Sequence, residues 1–392
     1  MVAIALAVVV LAALVAVMET VQDRCPAESM PIVRRPMLDV APVASLDGNR
    51  ANHSATTATA TLTRSVTVMQ WNTLADSLCG PEQFPSTAPC ALRWTTRAPL
   101  LVQHVRDLDP DVVALQEVDA IHYRELFVPA LAASGYGGVF QKKRNNSDGC
   151  ALFYRRALFA LVAHEGHAYG AVGNAAQNQI YLLAQLELRN DVSTAPTPQP
   201  EPRVGGARSG QFLYVAVTHL KAKPEFAQQR VGQAAELLVA LNQFIVNHHP
   251  PSSSDQCEPM VIMCGDMNDE PQSLMYRLLA EHYQSAYDDH YSIAVGGGAN
   301  VGSGTGSGTR YTTYKKRGAV ESLRVIDYIF YSPQTLRVAA LLEIPPIAAF
   351  PNRLPDLHFP SDHLSLLARF ETRCDSQTRF PSVGPSVSYK IE

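Results

Sequence analysis

The sequence predicts an α/β fold in which two layers of sheet form a core covered by helices. Three observations carry that expectation. Apolar runs of strand length alternate with helical patterns, but with no strict repeat. Several runs end at an acid, an amide or a histidine, as a buried strand does when its end opens into a polar site. The signatures of single-sheet α/β enzymes are missing. No Gly-x-Gly-x-x-Gly follows a strand, no phosphate loop ends in Gly-Lys-Ser or Gly-Lys-Thr, and no serine sits in a nucleophile elbow.

Of 392 residues, 46% are hydrophobic and 17% charged, enough for a sizeable core in one large or two medium domains. A net charge of −4 and a pI near 6.3 exclude attachment to nucleic acid through an overall basic surface. Any polyanion contact must come from a local patch. The cysteines are sparse and odd in number, 7 in all, with no zinc-finger spacing. Cys150 and Cys264 sit inside apolar runs, where free cysteine behaves as a small hydrophobe, and a reduced compartment is expected.

Residues 1–18 form an uninterrupted apolar run, and Glu19 is the first charge. The run suits a signal h-region and is marginal for a membrane span, yet no Lys or Arg precedes it. An uncleaved anchor in contact with a membrane, a secretory signal and an alternative start all stay open. The expected location is cytoplasmic, with mitochondrial or membrane-associated placement through this segment as the alternatives. Residues 19–61 turn to Pro, Ala, Ser, Thr and Asn without periodicity. Residues 1–62 are therefore set apart as apolar segment plus disordered leader, 63–371 as the ordered domain, and 372–392 as a polar tail.

Within the domain, Ser65-Val66-Thr67-Val68-Met69-Gln70-Trp71 alternates as a strand and leads to Asn72. Thr95 or Thr96 is expected to cap a helix running to Leu108, with Leu100, Leu101 and Val105 on its buried face. Asp109-Pro110-Asp111 breaks it. Val112-Val113-Ala114-Leu115 is a fully apolar strand ending at Gln116-Glu117, and residues 151–154 form another after the turn at 145–149. Residues 180–188 and 212–218 read as two strands of one sheet, separated by a surface insert at 190–210. After Pro224, Val231, Ala234, Leu238, Leu241 and Ile245 mark one stripe of a helix. The strand Val261-Ile262-Met263-Cys264 then stops at Gly265-Asp266-Met267-Asn268, and a helix over 272–283 follows. Residues 295–309 are a Gly/Ser loop, and 325–331 and 364–370 are the last strands.

Six strand ends thus carry hard-oxygen or imidazole groups: Asn72, Glu117, His219, Asp266 with Asn268, Asp327, and Asp362 with His363. Singly, each has an ordinary explanation: Glu117 as an exposed strand end, His219 as a satisfied core histidine, Asp266 and Asn268 as turn residues. Asp327 is harder to dismiss, because a carboxylate inside Val325-Ile326-Asp327-Tyr328-Ile329-Phe330 needs a partner, and His363 is the natural one. Carboxylates and amides suit Mg²⁺, or Mn²⁺ as the alternative, and metal-assisted phosphoester hydrolysis is the chemistry they fit.

Taken in order, Gln70-Trp71-Asn72-Thr73-Leu74-Ala75, Leu115-Gln116-Glu117-Val118, Thr218-His219-Leu220, Gly265-Asp266-Met267-Asn268, Ile326-Asp327-Tyr328 and Ser361-Asp362-His363 resemble the motifs of the endonuclease/exonuclease/phosphatase superfamily. Asp148-Gly149-Cys150-Ala151-Leu152-Phe153, His219-Leu220-Lys221-Ala222-Lys223 and Pro351-Asn352-Arg353-Leu354-Pro355 narrow the likeness to its deadenylase-related branch. The resemblance implies a four-layer α/β sandwich, two central mixed sheets flanked by helices. It implies Glu117 as principal metal ligand with Asn72 and Asp362 beside it, and Asp266 as the group that orients or deprotonates water. Asn268 then holds a phosphoryl oxygen, while His219, and His363 with Asp327, meet developing charge. It implies a basic set, Lys142, Lys221, Lys223 and Arg317, that clasps substrate phosphates. Lys223 stands where relatives carry arginine, which loses the bidentate fork. The implied function is a Mg²⁺-dependent phosphatase that converts NADP(H) to NAD(H) by removing the 2′-phosphate, with a role in metabolic or circadian regulation. A poly(A)-specific 3′ exoribonuclease is the alternative, and a non-enzymatic adaptor of RNA-regulatory complexes the third reading. The intact site residues oppose that last one.

Overall fold

The computed structural model describes residues 35–40, 64–170, 177–189, 211–249, 258–288 and 310–373. Its first sheet runs in the order β1 (Met37–Asp39), β14 (Leu336–Leu342), β15 (Leu366–Thr372), β2 (Ser65–Asn72), β3 (Val112–Asp119), β5 (Asp148–Arg155) and β4 (Tyr136–Lys142). The second runs β10 (Gln284–Ser285), β13 (Asp327–Tyr331), β9 (Met260–Asp266), β8 (Phe212–His219), β7 (Ile180–Leu188) and β6 (Phe159–Ala168). The β2–β3 and β8–β9 pairs are parallel and their other neighbours antiparallel, so both sheets are mixed. A separate hairpin joins β11 (Thr313–Arg317) to β12 (Val320–Arg324).

Residue alternation along each strand decides the layers. Val68, Val112, Ala114 and Leu152 face inward and meet Leu182, Val215, Ile262 and Ile329 of the other sheet. Their neighbours Met69, Val113, Leu115 and Phe153 face outward under helix α1 (Trp94–Leu108), which contributes Leu101, Val102 and Val105. The second sheet's outer face is covered by α2 (Ala227–His248), through Ala234, Leu237, Leu241 and Phe244, and by α3 (Leu274–Ala280), through Met275 and Leu279. Each fully buried leucine or phenylalanine adds about 1.5–3 kcal/mol. Two sheets between two helical layers are the expected four-layer sandwich.

Several expected boundaries move. Met37, Leu38 and Asp39 of the presumed leader pair with Leu342, Leu341 and Ala340 as an edge strand. Arg35 before them is buried, donating to the Glu343 carbonyl at 2.6 Å and the Ser365 carbonyl at 2.7 Å. Main-chain pairing and one buried guanidinium order this piece without any hydrophobic periodicity. Helix α1 begins at Trp94 rather than at a threonine cap, Arg93 being its extended N-cap, and Leu100 is only half-buried. Helix α3 spans Leu274–Ala280, shorter than the expected 272–283, because Ser273 caps it by accepting from the Tyr276 amide at 3.1 Å. The buried face of α2 centres one residue away from the expected stripe. Arg230 and Gln233 are buried there, bonding Asp269, the Lys221 and Lys223 carbonyls and the Lys221 amide, while Val231, Leu238 and Ile245 lie at its edge. The expectations for residues 1–18, the rest of the leader, the insert at 190–210, the Gly/Ser loop at 295–309 and the tail from 374 lie outside the described residues. No helix among the described residues is long and apolar enough to cross a membrane. Cys79, Cys90, Cys150 and Cys264 are free and buried.

Candidate active site

The site forms where strand ends of both sheets meet. Register alone aligns three of its groups in the second sheet, since His219 of β8 and Asp327 of β13 both pair with Asp266 of β9. In the first sheet, Asn72 pairs with Gln116. Glu117 is not a strand end. It sits at a bulge, where the β3–β5 register slips between Leu115 and Val118, and its φ is 54°. The extra residue turns its side chain away from the helix-facing row of Val113 and Leu115 and into the site. Arg97 of α1, fully buried, clamps the rim by donating to the Pro360 carbonyl at 2.7 Å and the Thr73 carbonyl at 2.8 Å. The Trp71 indole donates to the His363 carbonyl at 2.8 Å, and the Ser361 hydroxyl to the Asn72 carbonyl at 2.6 Å.

At the centre two carboxylates face each other. The Asn72 amide bridges them, donating to Glu117 Oε1 at 3.1 Å and Asp266 Oδ2 at 3.0 Å, while its own oxygen accepts from the Leu74 amide. The Ala75 amide donates to Glu117 Oε2 at 3.2 Å. Burial, reinforced by the charge of Asp327 and opposed by His363, pushes Asp266 up to about 6.

The two histidines differ in state. Burial, with Lys143 and His363 nearby, drives the pKa of His219 far down, so its ring is neutral. Lys143 Nζ lies 3.3 Å from Nδ1, and an ammonium only donates. The ring's one proton is therefore on Nε2, 3.6 Å from Asp266 Oδ2 and 4.0 Å from Glu117 Oε1. For His363, burial alone would lower the pKa, but Asp327, Asp362 and Asp266 outweigh it and raise it to about 9. Its Nδ1 donates to Asp327 Oδ2 at 2.9 Å, the pairing expected from the buried acid. Its Nε2 stands 3.1 Å from Lys315 Nζ, whose charge opposes that rise, and 3.8 Å from Asp266 Oδ2.

Asp362, expected near the metal, already carries two cations on one oxygen. Lys315 Nζ at 2.6 Å and an Arg317 amino group at 3.0 Å both hold its Oδ2. Burial would raise its pKa, but Lys315, His363 and Arg317 overcome that and hold it far below the usual carboxylate range. Asn268, with φ 52°, spends one amide hydrogen on the Leu220 carbonyl at 3.1 Å and keeps the second. Of the expected basic set, Arg317 is at the site, its guanidinium also 5.0 Å over the Phe84 ring. Lys221 lies with Nζ 4.6 Å from the Phe226 ring centre, and Lys223 is exposed at φ 79°. Lys142 is exposed and bonds the Lys143 carbonyl at 3.1 Å. Its neighbour Lys143 is the buried one, paired with Asp148 at 2.6 Å. Adjacent residues at a strand's end point to opposite sides, so the run Lys142-Lys143-Arg144 could not say which lysine turns inward. Lys315 was missed too, as were Gln70 and Gln116, whose linked amides back Asp327 from the first sheet at 3.1 Å.

Glu117, His219 and Asp266 each offer an atom within 4.8 Å of the others, as do Asp266, Asp327 and His363. In the second group Asp327 and His363 already satisfy each other. In the first, His219 presents a proton, which leaves Glu117 and Asp266, two hard-oxygen groups with one shared amide donor. That donor set fits a divalent cation held by oxygen.

The model of the endonuclease/exonuclease/phosphatase family matches residues 69–363. The chain belongs to that family. The endonuclease/exonuclease/phosphatase family comprises hydrolases that act on phosphoester bonds and use divalent metals. Nocturnin of Xenopus laevis is 34% identical over 319 residues, 78% of this chain and 72% of that protein. Nocturnin of Homo sapiens is 34% identical over 318 residues, covering 78% of this chain and 65%, just under two thirds, of its own length. The Ccr4 3′-5′-exoribonuclease subunit of the Candida albicans CCR4-Not complex is 27% identical, covering 78% of this chain and 41% of that protein. Among solved structures, the human nocturnin catalytic domain with a bound sulfate superposes with a TM-score of 0.58 and 27% identity, covering 86% of this chain and 98% of that one.

Proposed function

We propose that the chain is a Mg²⁺-dependent phosphatase that removes the 2′-phosphate of NADP(H) and leaves NAD(H). The observation that carries this reading is a set of cations beside the site, Lys143 on Asp148 and against His219, and Lys315 and Arg317 on Asp362. A phosphomonoester carries about −1.5 to −2 charges near neutrality, against one for a diester in poly(A), so a site this rich in cations suits the monoester. Likeness to nocturnin over 78% of the chain supports the same choice.

Glu117 would hold the ion, with Asp266 and Asn72 beside it, and Mg²⁺, or Mn²⁺ as the alternative, suits their oxygens. Such an ion polarises the phosphoryl oxygen. The chain supplies the rest. Asp266, with a pKa lifted to about 6, accepts the proton of the attacking water. His219 directs Nε2–H at the oxygens that gain charge, His363 turns Nε2 to the same place beside Lys315 Nζ, and the second amide hydrogen of Asn268 joins them. Lys315 and Arg317, both on β11, hold the phosphate against the corner.

A 3′ exoribonuclease acting on poly(A) is the second reading, favoured by the likeness to Ccr4. One preparation offered NADP⁺, NADPH and oligo(A) at matched Mg²⁺, with Glu117→Ala as control, separates the two. Phosphate release from NADP(H) above the control is expected. A ladder of shortened oligo(A) without that release overturns the phosphatase reading.

A further inference from the structure

Asp327 stands behind His363 rather than at the reacting atoms, and its orientation depends on a residue outside every motif above. Thr312 is fully buried at the foot of the β11–β12 hairpin. Its hydroxyl oxygen accepts from two backbone amides, Ile326 at 3.0 Å and Asp327 at 3.1 Å. Both lone pairs are then used, so the hydroxyl's one proton must go to an acceptor. Asp327 Oδ2 lies 2.6 Å away, while the alternative, the Arg324 carbonyl, is at 3.5 Å. The same Oδ2 accepts from His363 Nδ1, and Oδ1 accepts from the Gln70 amide. The carboxylate is thereby held at both oxygens, and the one that orients the histidine is fixed by the threonine.

The main chain around Thr312 reinforces the arrangement. Its carbonyl accepts from the Leu364 amide at 2.7 Å, and Thr313 forms a bridge to His363 and donates its hydroxyl to the Asp362 carbonyl at 2.8 Å. The strand that starts here carries Lys315 and Arg317, the two cations on Asp362.

We infer that Thr312 is a positioning residue of the hydrolytic centre: its hydroxyl sets the rotamer of Asp327, and through it the direction in which His363 presents Nε2 to the phosphoryl group. The serine and cysteine variants at this position isolate the hydroxyl, because they differ by a single atom and a thiol is a poor donor and acceptor. The assay uses both NADP⁺ and oligo(A), so the role of Thr312 is read on whichever phosphoester the wild type cuts. Thr312→Ser should keep kcat within about threefold, whereas Thr312→Cys should lose roughly 10- to 100-fold in kcat with KM changed less than about threefold. In an Asp327→Asn background the cysteine change should cost nothing further. The Nδ1–H proton resonance of His363, read by NMR without substrate or metal, should shift in Thr312→Cys and not in Thr312→Ser. Serine and cysteine variants of equal activity, a loss confined to KM, full additivity with Asp327→Asn, or an unmoved His363 resonance would each overturn the inference.

Discussion

Asp266 and Asp362 are buried at the same corner, with His363 Nε2 at 3.8 Å from one and 3.9 Å from the other, yet their surroundings are opposite. Asp266 faces Glu117 across one amide and an uncharged imidazole, and its pKa is lifted to about 6. Asp362 carries Lys315 and Arg317 on a single oxygen and is held ionised. One acid is left short of positive charge and the other is supplied with it in advance. The first half gathers oxygens that fit a cation, and the second holds cations that an anion would meet. Asp362 thereby holds Lys315 and Arg317 in place.

The most severe way to break this contrast is to remove the acid on the metal side. Glu117→Ala should lower kcat on the order of 10³-fold, since a metal supplies several kcal/mol of charge stabilisation. Titration calorimetry of the variant with Mg²⁺ should show no binding heat at this corner, and wild-type heat would undo the assignment. Next comes pH. His363 is raised above its unfolded value of 6.5, so its contribution to stability is complete below 6.5 and is lost as pH rises through about 9. EDTA-treated protein should lose roughly 3 kcal/mol over that window, measured by urea unfolding, and His363→Gln should flatten the loss. Asp266, also raised, loses its share at lower pH, between 3.8 and about 6, and does not blur the window.

On the anion side the effects should be smaller. Lys315→Met should raise KM for the phosphoester about 10- to 30-fold, because one charge-assisted contact worth about 1.5–3 kcal/mol is gone. Unchanged KM in that variant would mean that Asp362 merely neutralises its lysine. Smallest of all is Lys142→Ala, expected to change KM by less than about threefold, in contrast to Lys143→Met at about tenfold. If Lys142 proves the costlier of the two, the inward assignment of Lys143 is wrong.

Much of this corner was legible in the chain. The strands with long apolar runs, β2, β3, β7, β8 and β9, showed themselves, and the polar residues where those runs stop identified Asn72, Glu117, His219 and Asp266. Asp327 announced its need for a partner because an acid amid Val325, Ile326 and Ile329 cannot stay unpaired. The hairpin β11–β12 stayed hidden: Thr-Tyr-Lys-Lys-Arg and Val-Glu-Ser-Leu-Arg carry no apolar alternation, and the hairpin joins neither sheet. β1 was masked by a polar, proline-rich setting, and β6 by its many half-exposed residues. With the hairpin went Lys315 and Thr312, whose roles arise from contacts with residues 362–363 and 327 rather than from anything local.

The bulge at Glu117 sets a limit on how far this strand can be regularised. Deleting Gln116 would restore an unbroken β3–β5 ladder and remove a non-glycine residue from φ 54°. In that repaired strand the glutamate would follow Leu115 directly and take the next place in the row of Val112 and Ala114, facing the other sheet. A backbone idealised for stability would thus bury the metal-side acid in grease, and an engineer seeking a hardier variant should leave this one irregularity untouched.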